Sequence, residues 1–451
     1  MKRLTALAVT AAAALSLAGG ASSANPDGFK TAKLPYLVPM VPGAAVDPIL
    51  STGDVVGSYQ MSGIPDGLGA FNDGGNTLHV FMNHEMGRTF PALPPGVDTR
   101  ISDLTLNRKT HGVLAAEYRF TGQEFFERFC SATMELIKGT PYYFTGEDSI
   151  PTGHDGSSIV MNAETGDWTE TAHFGRFEHE NVVPVFDSRK FMVVSTEDNF
   201  RVGVPSYLYA YIADSFEDAV SGDPAHGSLY VFRAVDAADT GFTMAKGDTI
   251  PGEFVPVSQT ENTTSTVLKA AVTAKGAFRF ARVEDVALAY QKAGRLYFAD
   301  TGKAGEATIN GRIYRLDIDP SDPTQASVTV ELDSTVDDFA NPDNVGTSPK
   351  SLMIEEDREN PNRVQYGRIL RYDFNDGSLT PVARVNTPPP FLPGSWEGTG
   401  IFWAGNLLGG GWWLTAVQPH GLTSPQPGPS LTPNSSVGED GQYDALYVPG
   451  S

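Results

Sequence analysis

Acidic residues gather beside Asn, His, Arg and a single Cys at the ends of apolar runs, and five such clusters carry the chemistry open to this chain. In the first, the apolar run Val80-Phe81-Met82 delivers Asn83-His84-Glu85, polar groups that must be hydrogen-bonded or metal-bound if buried. The second sets Cys130, in Phe129-Cys130-Ser131, with Glu147 and Asp148 further on. Thiolate plus carboxylate is a mixed ligand set, suited to iron or zinc rather than calcium alone. In the third, Glu178 and Glu180 flank His179, and alternate residues share a face of an extended chain. The fourth, Arg282-Val283-Glu284-Asp285, puts a guanidinium that can grip phosphate bidentately beside a carboxylate suited to a metal. The fifth, Asn341-Pro342-Asp343-Asn344, offers hard oxygen atoms for calcium. Each cluster also has an ordinary structural reading: a strand-end hydrogen-bond network, a buried thiol, surface charge, an ion pair or an Asx turn. There is no Ser-centred Gly-x-Ser-x-Gly elbow, no His-Glu-x-x-His and no P-loop, which removes the commonest hydrolase and nucleotide-binding readings.

The elements that must hold these clusters are short strands. A unit of turn Gly, apolar-aromatic run and Asp or Gly turn recurs at Gly227-Ser-Leu-Tyr-Val-Phe, Gly294-Arg-Leu-Tyr-Phe-Ala-Asp, Gly311-Arg-Ile-Tyr-Arg-Leu-Asp and Gly367-Arg-Ile-Leu-Arg-Tyr-Asp. The alternation of apolar and polar residues predicts antiparallel β with one buried face. Turn-rich joints such as Asp373-Phe-Asn-Asp-Gly, with 47 Gly and 32 Pro overall, suit many short connections. Repeated strand pairs over this length predict an all-β propeller, six-bladed, with loop and short helical insertions such as Ser215–Val220. A large sandwich or a β-helix is the alternative.

Residues 1–24 read as a signal peptide: Lys2-Arg3, an apolar run from Leu4 to Ala18, then Ser22-x-Ala24 before the cleavage point. That run is too short to span a bilayer, and no second one follows. A secreted or periplasmic protein is expected, with 25–451 as one catalytic domain and no membrane span. The Pro/Gly/Ser-rich stretch 423–438 reads as a flexible loop or tail. Asp and Glu outnumber Lys and Arg by 54 to 32, for a net charge of -22, which excludes nucleic acid as a partner. An acidic enzyme acting on an anion needs local positive charge, and bound cations supply it. Cys130, being alone, can form no disulfide within the chain.

Taken in order, the clusters resemble the successive motifs of the PhoX-type alkaline phosphatases, from the Pro65-Asp-Gly-Leu-Gly loop to Gln418-Pro-His420. Asn83-His84-Glu85 is similar to the family's Asn-His-Glu segment, and Cys130 stands where the family has its cysteine. Thr145-Gly-Glu147-Asp148 resembles Thr-Cys-Glu-Glu, and Gly175-Arg-Phe-x-His179-Glu180 resembles Gly-Arg-Phe-x-His-Glu. Phe280-x-Arg282-x-Glu284-Asp285, followed by Tyr297-Phe-x-Asp300-Thr-Gly302, is the most specific match; Asn341-Pro-Asp-Asn344 and Glu397-Gly-Thr-Gly400 continue the series. The resemblance implies a β-propeller phosphatase acting on small phosphomonoesters, with ferric iron and calcium as cofactors. It implies Glu85, Cys130, Glu147, Glu180 and Glu284 as metal ligands, Asp343 and Asn344 as calcium ligands, and Arg282 on the phosphate; a monomer is expected. Three departures are visible. Lys2-Arg3 is no twin arginine, Asp148 is shorter than the family's glutamate, and Met353-Ile-Glu355-Glu356-Asp357 is less glycine-rich than its counterpart. A calcium-only propeller lactonase or sugar-acid hydrolase, and a non-catalytic binding propeller, are the competing readings; Cys130 separates the first, since a lactonase site has no use for a thiolate.

Overall fold

Residues 25–451 of the computed structural model are described below, except 88–97, 151–152, 186–189, 307, 358–366 and 428–432. Short runs broken by Gly, Asp and Asn fold as antiparallel hairpins, and these hairpins are ordered around an axis. The six strands nearest that axis are β1 (Pro65–Phe71), β2 (Phe129–Ile137), β3 (His179–Val185), β4 (Val283–Leu288), β5 (Pro342–Thr347) and β6 (Glu397–Trp403). Each packs on the next, and β6 packs back on β1, so the ring is closed. Each also begins an antiparallel sheet that runs outward. The result is nearly all-β and propeller-like. The sheets begun by β3 and β4 join at their outer edges, where Thr249–Val257 pairs with Gln325–Asp333, giving one nine-stranded sheet rather than two separate blades.

The N-terminal strands complete the last sheets. Ala45–Ser51 pairs with Gln442–Tyr447, and Leu37–Pro39 pairs with Leu379–Val385. Thr423–Pro427 pairs with Pro433–Glu439, so the described part of the stretch predicted to be a loop or tail forms a separate two-stranded sheet between Trp412–Gln418 and Gln442–Tyr447 in sequence. Residues 1–24, where the signal peptide is expected, lie outside the described residues. Among those described, no helix is long and apolar enough to cross a membrane.

Six apolar layers fill the gaps between neighbouring sheets. Alternation predicts one buried face per strand, but each sheet lies between two others and both faces are covered. Leu352 and Ile354 enter one layer while Met353 between them enters the next. Val182 and Val183 divide in the same way. Each such side chain contributes about 1.5–3 kcal/mol by leaving water. Helix is confined to short pieces. Phe216–Ser221, where a helix is expected, is capped by the Ser215 hydroxyl, which accepts from the Asp218 N–H. Ser265–Ala274, which the β-branched residues disguise, is capped by Thr264.

Candidate active site

Five of the inner strands begin with the same device. In β1 the partner register steps from Pro65↔His84 to Leu68↔Met82, so Asp66 and Gly67 face Asn83 alone. The same two-against-one bulge places Cys130-Ser131 opposite Gly146, Glu180-Asn181 opposite Thr196, Glu284-Asp285 opposite Ala299, and Asp343-Asn344 opposite Glu355. A bulge bends the strand and re-aims its side chains. The first residue of each pair enters a common cluster, and the second residues link neighbouring strands beneath it.

That lower belt is polar and largely satisfied. Asn344 Nδ2 donates to Ser131 Oγ at 2.9 Å, and Ser131 Oγ donates to Glu180 Oε1 at 2.6 Å. Asn181 Nδ2 donates to Asp285 Oδ1 at 2.5 Å, while the Val345 N–H donates to Asp285 Oδ2 at 2.9 Å. Gly67 has no alternative: a Cβ there would lie 2.4 Å from the Ala132 nitrogen. Asn83 sits behind the belt, donating to the Cys130 carbonyl at 2.7 Å and Thr145 Oγ1 at 2.8 Å and accepting from Tyr143 at 2.9 Å. It clamps the cysteine bulge. On the far side of the belt the channel opens into a cavity of about 690 Å³, lined by Leu68, Met134, Leu288 and Trp403 among others and by none of the clustered acids.

Above the belt the acids converge. Asp66, Glu85 and Cys130 place one potential ligand atom each within 4.8 Å of one another; Cys130, Asp148 and Glu180 do the same, as do Glu180, Glu284 and Asp343. Cys130 and Glu180 each belong to two groups, so the three are contiguous. Two arginines border them. Arg128 Nη2 pairs with Glu85 at 2.6 Å and its Nη1 with Asp148 at 3.1 Å. Arg282 donates from Nε and Nη2 to the two oxygens of Asp198, at 2.9 and 2.8 Å, and Nη2 also lies 2.7 Å from Glu284.

Electrostatics make this cluster uncomfortable without cations. Burial, and then repulsion from neighbouring carboxylates, pushes Asp66, Glu180 and Asp343 well above the usual carboxylate range. Burial does the same to Asp148 and Glu284, against the pull of Arg128 and Arg282 respectively. Burial and the Glu180, Glu85 and Asp148 carboxylates raise the Cys130 thiol. Among the described residues, Asp148 Oδ1 has no hydrogen-bond partner although it is buried. Converging anions, an orphaned oxygen and a thiol beside carboxylates fit bound metal ions.

Of the residues predicted to bind metal, Glu85, Cys130, Glu180, Glu284 and Asp343 meet in this cluster. Glu147 does not. It accepts from the backbone N–H groups of Glu127 at 2.9 Å and Gly156 at 3.1 Å, and its neighbour Asp148 occupies the place expected of it. Glu147 ends its strand opposite Phe129, and Asp148 follows it with its N–H donating to the Arg128 carbonyl at 2.9 Å; successive residues of an extended chain point to opposite sides. Asn344 lies in the belt and borders the cluster: its Nδ2 donates to Ser131 Oγ at 2.9 Å and reaches Asp66 Oδ1 at 3.4 Å. Asp66 was not singled out by residue type, yet its Pro-Asp-Gly setting matches Pro342-Asp343-Asn344, and that likeness was the available signal. Arg128 stands two residues before the cysteine and carried no motif.

Residues 161–403, more than half of the chain, match the family model described as alkaline phosphatase PhoX. The chain belongs to the PhoX family. The PhoX match spans Glu180, Arg282, Glu284 and Asp343, whereas Asp66, Glu85, Cys130 and Asp148 precede it and join them through geometry. No curated protein matches this PhoX chain. Among solved structures, a thermostable family-43 glycoside hydrolase is similar at 10% identity, covering 77% of this chain and 98% of its own, with a TM-score of 0.38. An endo-arabinase from Bacteroides thetaiotaomicron is similar at 12% identity, covering 74% and 96%, with a TM-score of 0.36. Likeness of that degree carries nothing about the activity of a PhoX protein.

Proposed function

We propose that this PhoX-family protein is an exported, metal-dependent alkaline phosphatase that hydrolyses small phosphomonoesters at the cluster above the belt. The observation that carries this reading is the contiguity of the three ligand groups beside a fixed guanidinium. Ferric iron fits the positions that share the Cys130 sulfur, and calcium fits the all-carboxylate group of Glu180, Glu284 and Asp343. Bound cations would neutralise charge on the non-bridging phosphoryl oxygens and activate an oxygen nucleophile. The chain's own part is positioning. Asp198 takes the Nε and Nη2 edge of Arg282 and so sets the plane in which the guanidinium meets the phosphate. Arg128 holds Glu85 and Asp148 in place, and Gln418 Nε2 donates to Glu85 Oε2 at 3.1 Å from the opposite side.

Cys130 also weighs against a calcium-only lactonase, because its sulfur belongs to two of the three groups. The test is elemental analysis of the purified protein together with phosphomonoester turnover before and after chelation. Iron and calcium with chelator-sensitive hydrolysis are expected. Active protein holding calcium alone would overturn the iron assignment, and absent turnover by the metal-loaded protein would overturn the phosphatase reading. Export to the periplasm or medium with cleavage after Ala24, and a monomeric state, complete the proposal; N-terminal sequencing and light scattering test them.

A further inference from the structure

One loop at the rim of the cluster is held more firmly than its position on the surface requires. Lys303 is 4% exposed, and its ammonium donates to the carbonyls of Asn199, of Arg201 at 3.1 Å and of Val204 at 2.7 Å. Lysine is seldom buried to this extent, and here its donors serve backbone alone. A second lysine extends the clamp: Lys269 donates to the Pro205 carbonyl at 2.6 Å and pairs with Glu197. Within the loop, Asn199 Oδ1 accepts from the Arg201 N–H at 3.1 Å and the Val204 N–H donates to the Arg201 carbonyl at 3.1 Å. The loop leaves directly from Asp198, the partner of Arg282, and Arg201 Nη2 reaches back to within 3.6 Å of Glu178. The loop is thus joined to Arg282 through Asp198 at its start, to Glu178 through the Arg201 side chain, and to Glu197 through Lys269 at its far end. What it presents to solvent is apolar: Phe200 is 54% exposed and Val202 is 76% exposed.

Isolated exposed apolar side chains are ordinary. A pair displayed on a loop whose backbone is pinned by two lysines, one residue beyond the group that orients Arg282, is a different matter. Fixing the loop before binding removes the ordering cost that a mobile loop would impose on its ligand. Resting on the phosphatase reading above, we propose that residues 199–204 form a leaving-group platform. Phe200 and Val202 receive an apolar, preferably aromatic, alcohol portion of the phosphomonoester, and the enzyme favours such esters over small polar ones. The reaction at phosphorus is unchanged; the loop only selects which alcohol is released.

Benzyl phosphate and ethyl phosphate test this, because both release a primary alcohol and differ chiefly in the ring. With the metal-loaded enzyme, kcat/KM should favour benzyl phosphate. Phe200→Ser should lower kcat/KM for benzyl phosphate about tenfold, the order expected when an apolar contact is lost, and leave ethyl phosphate within about twofold by the same reasoning. Phe200→Tyr, which keeps the ring, should retain the preference. Equal changes for both esters, or none for either, would overturn the platform while leaving the phosphatase reading intact. A wild-type enzyme inert towards both would remove that reading and the platform with it.

Discussion

Asp444 offers a quantitative check on the closed ring, away from the metal cluster. It is 0% exposed, lies between Thr415 and Pro48 on the adjoining strands, and neither of its oxygens has a hydrogen-bond partner among the described residues. Burial, with a further contribution from Asp47 and against Lys30, pushes its carboxyl from 3.8 up to about 8. A carboxyl raised on folding stabilises the protein below its unfolded pKa, and that stability is lost as pH rises through the folded value. The slope over that window is about 1.4 kcal/mol per pH unit. Asp444→Asn keeps the shape and removes the titration, leaving a constant cost of about 1–3 kcal/mol for an unpaired amide. Between pH 5 and pH 8 the stability difference should therefore move by about 4 kcal/mol in favour of the Asn variant. Denaturant unfolding of both proteins, with metal concentrations held equal at each pH, measures that difference. A difference that stays flat across the range, or moves towards the wild type, would refute the argument.

Three further outcomes follow from the site. Arg282→Ala should reduce turnover by about 100- to 1,000-fold, the loss typical of one charge-assisted donor in a water-excluded site, and phosphomonoester kinetics that do not change would exclude Arg282. Cys130→Ser should lower iron content and activity together, since a neutral hydroxyl is a far poorer partner for ferric iron than a thiolate; full iron with full turnover would return Cys130 to the role of a buried hydrophobe. Asp148→Asn should reduce metal content whereas Glu147→Gln should not, because only the Asp148 carboxylate lies among the grouped ligand atoms; the reverse ranking by elemental analysis would restore Glu147 as a ligand.

Residue type left each cluster open to an ordinary structural reading; the order of the motifs, and their resemblance to PhoX, picked out Glu85, Cys130, Glu180, Glu284 and Asp343, which the fold brings together. Backbone register was not legible. Glu147 and Asp148 are adjacent and chemically similar, and which one faces the cluster depends on the pairing register and end of their strand, which no residue type announces. The same bulge recurs in β1 to β5 through Asp-Gly, Cys-Ser, Glu-Asn, Glu-Asp and Asp-Asn, dissimilar pairs that share only a position before an apolar residue. For Asp66 the one signal was its likeness to Asp343, each following a proline at the start of its strand. The propeller-like arrangement was legible from strand repeats, but burial of both strand faces was not, because it follows from sheets lying against one another. Arg128 and the lysine clamp under 199–204 depend on contacts between distant segments, which a linear pattern does not encode.

The closing of the ring has a consequence for synthesis. The strand Ala45–Ser51 is made long before its partner Gln442–Tyr447: Ser51 and Gln442, which face each other, are 391 residues apart in sequence. Until then the early strand has exposed backbone donors and acceptors along an edge, the condition that invites pairing with other chains. The sheet begun by β1 is built from consecutive strands, but the sheet begun by β6 must wait for Gln442–Tyr447. Contacts this remote in sequence slow folding. The ring is therefore sealed by two segments far apart in sequence, and the strand Ala45–Ser51 has no partner in its own sheet until the second is in place.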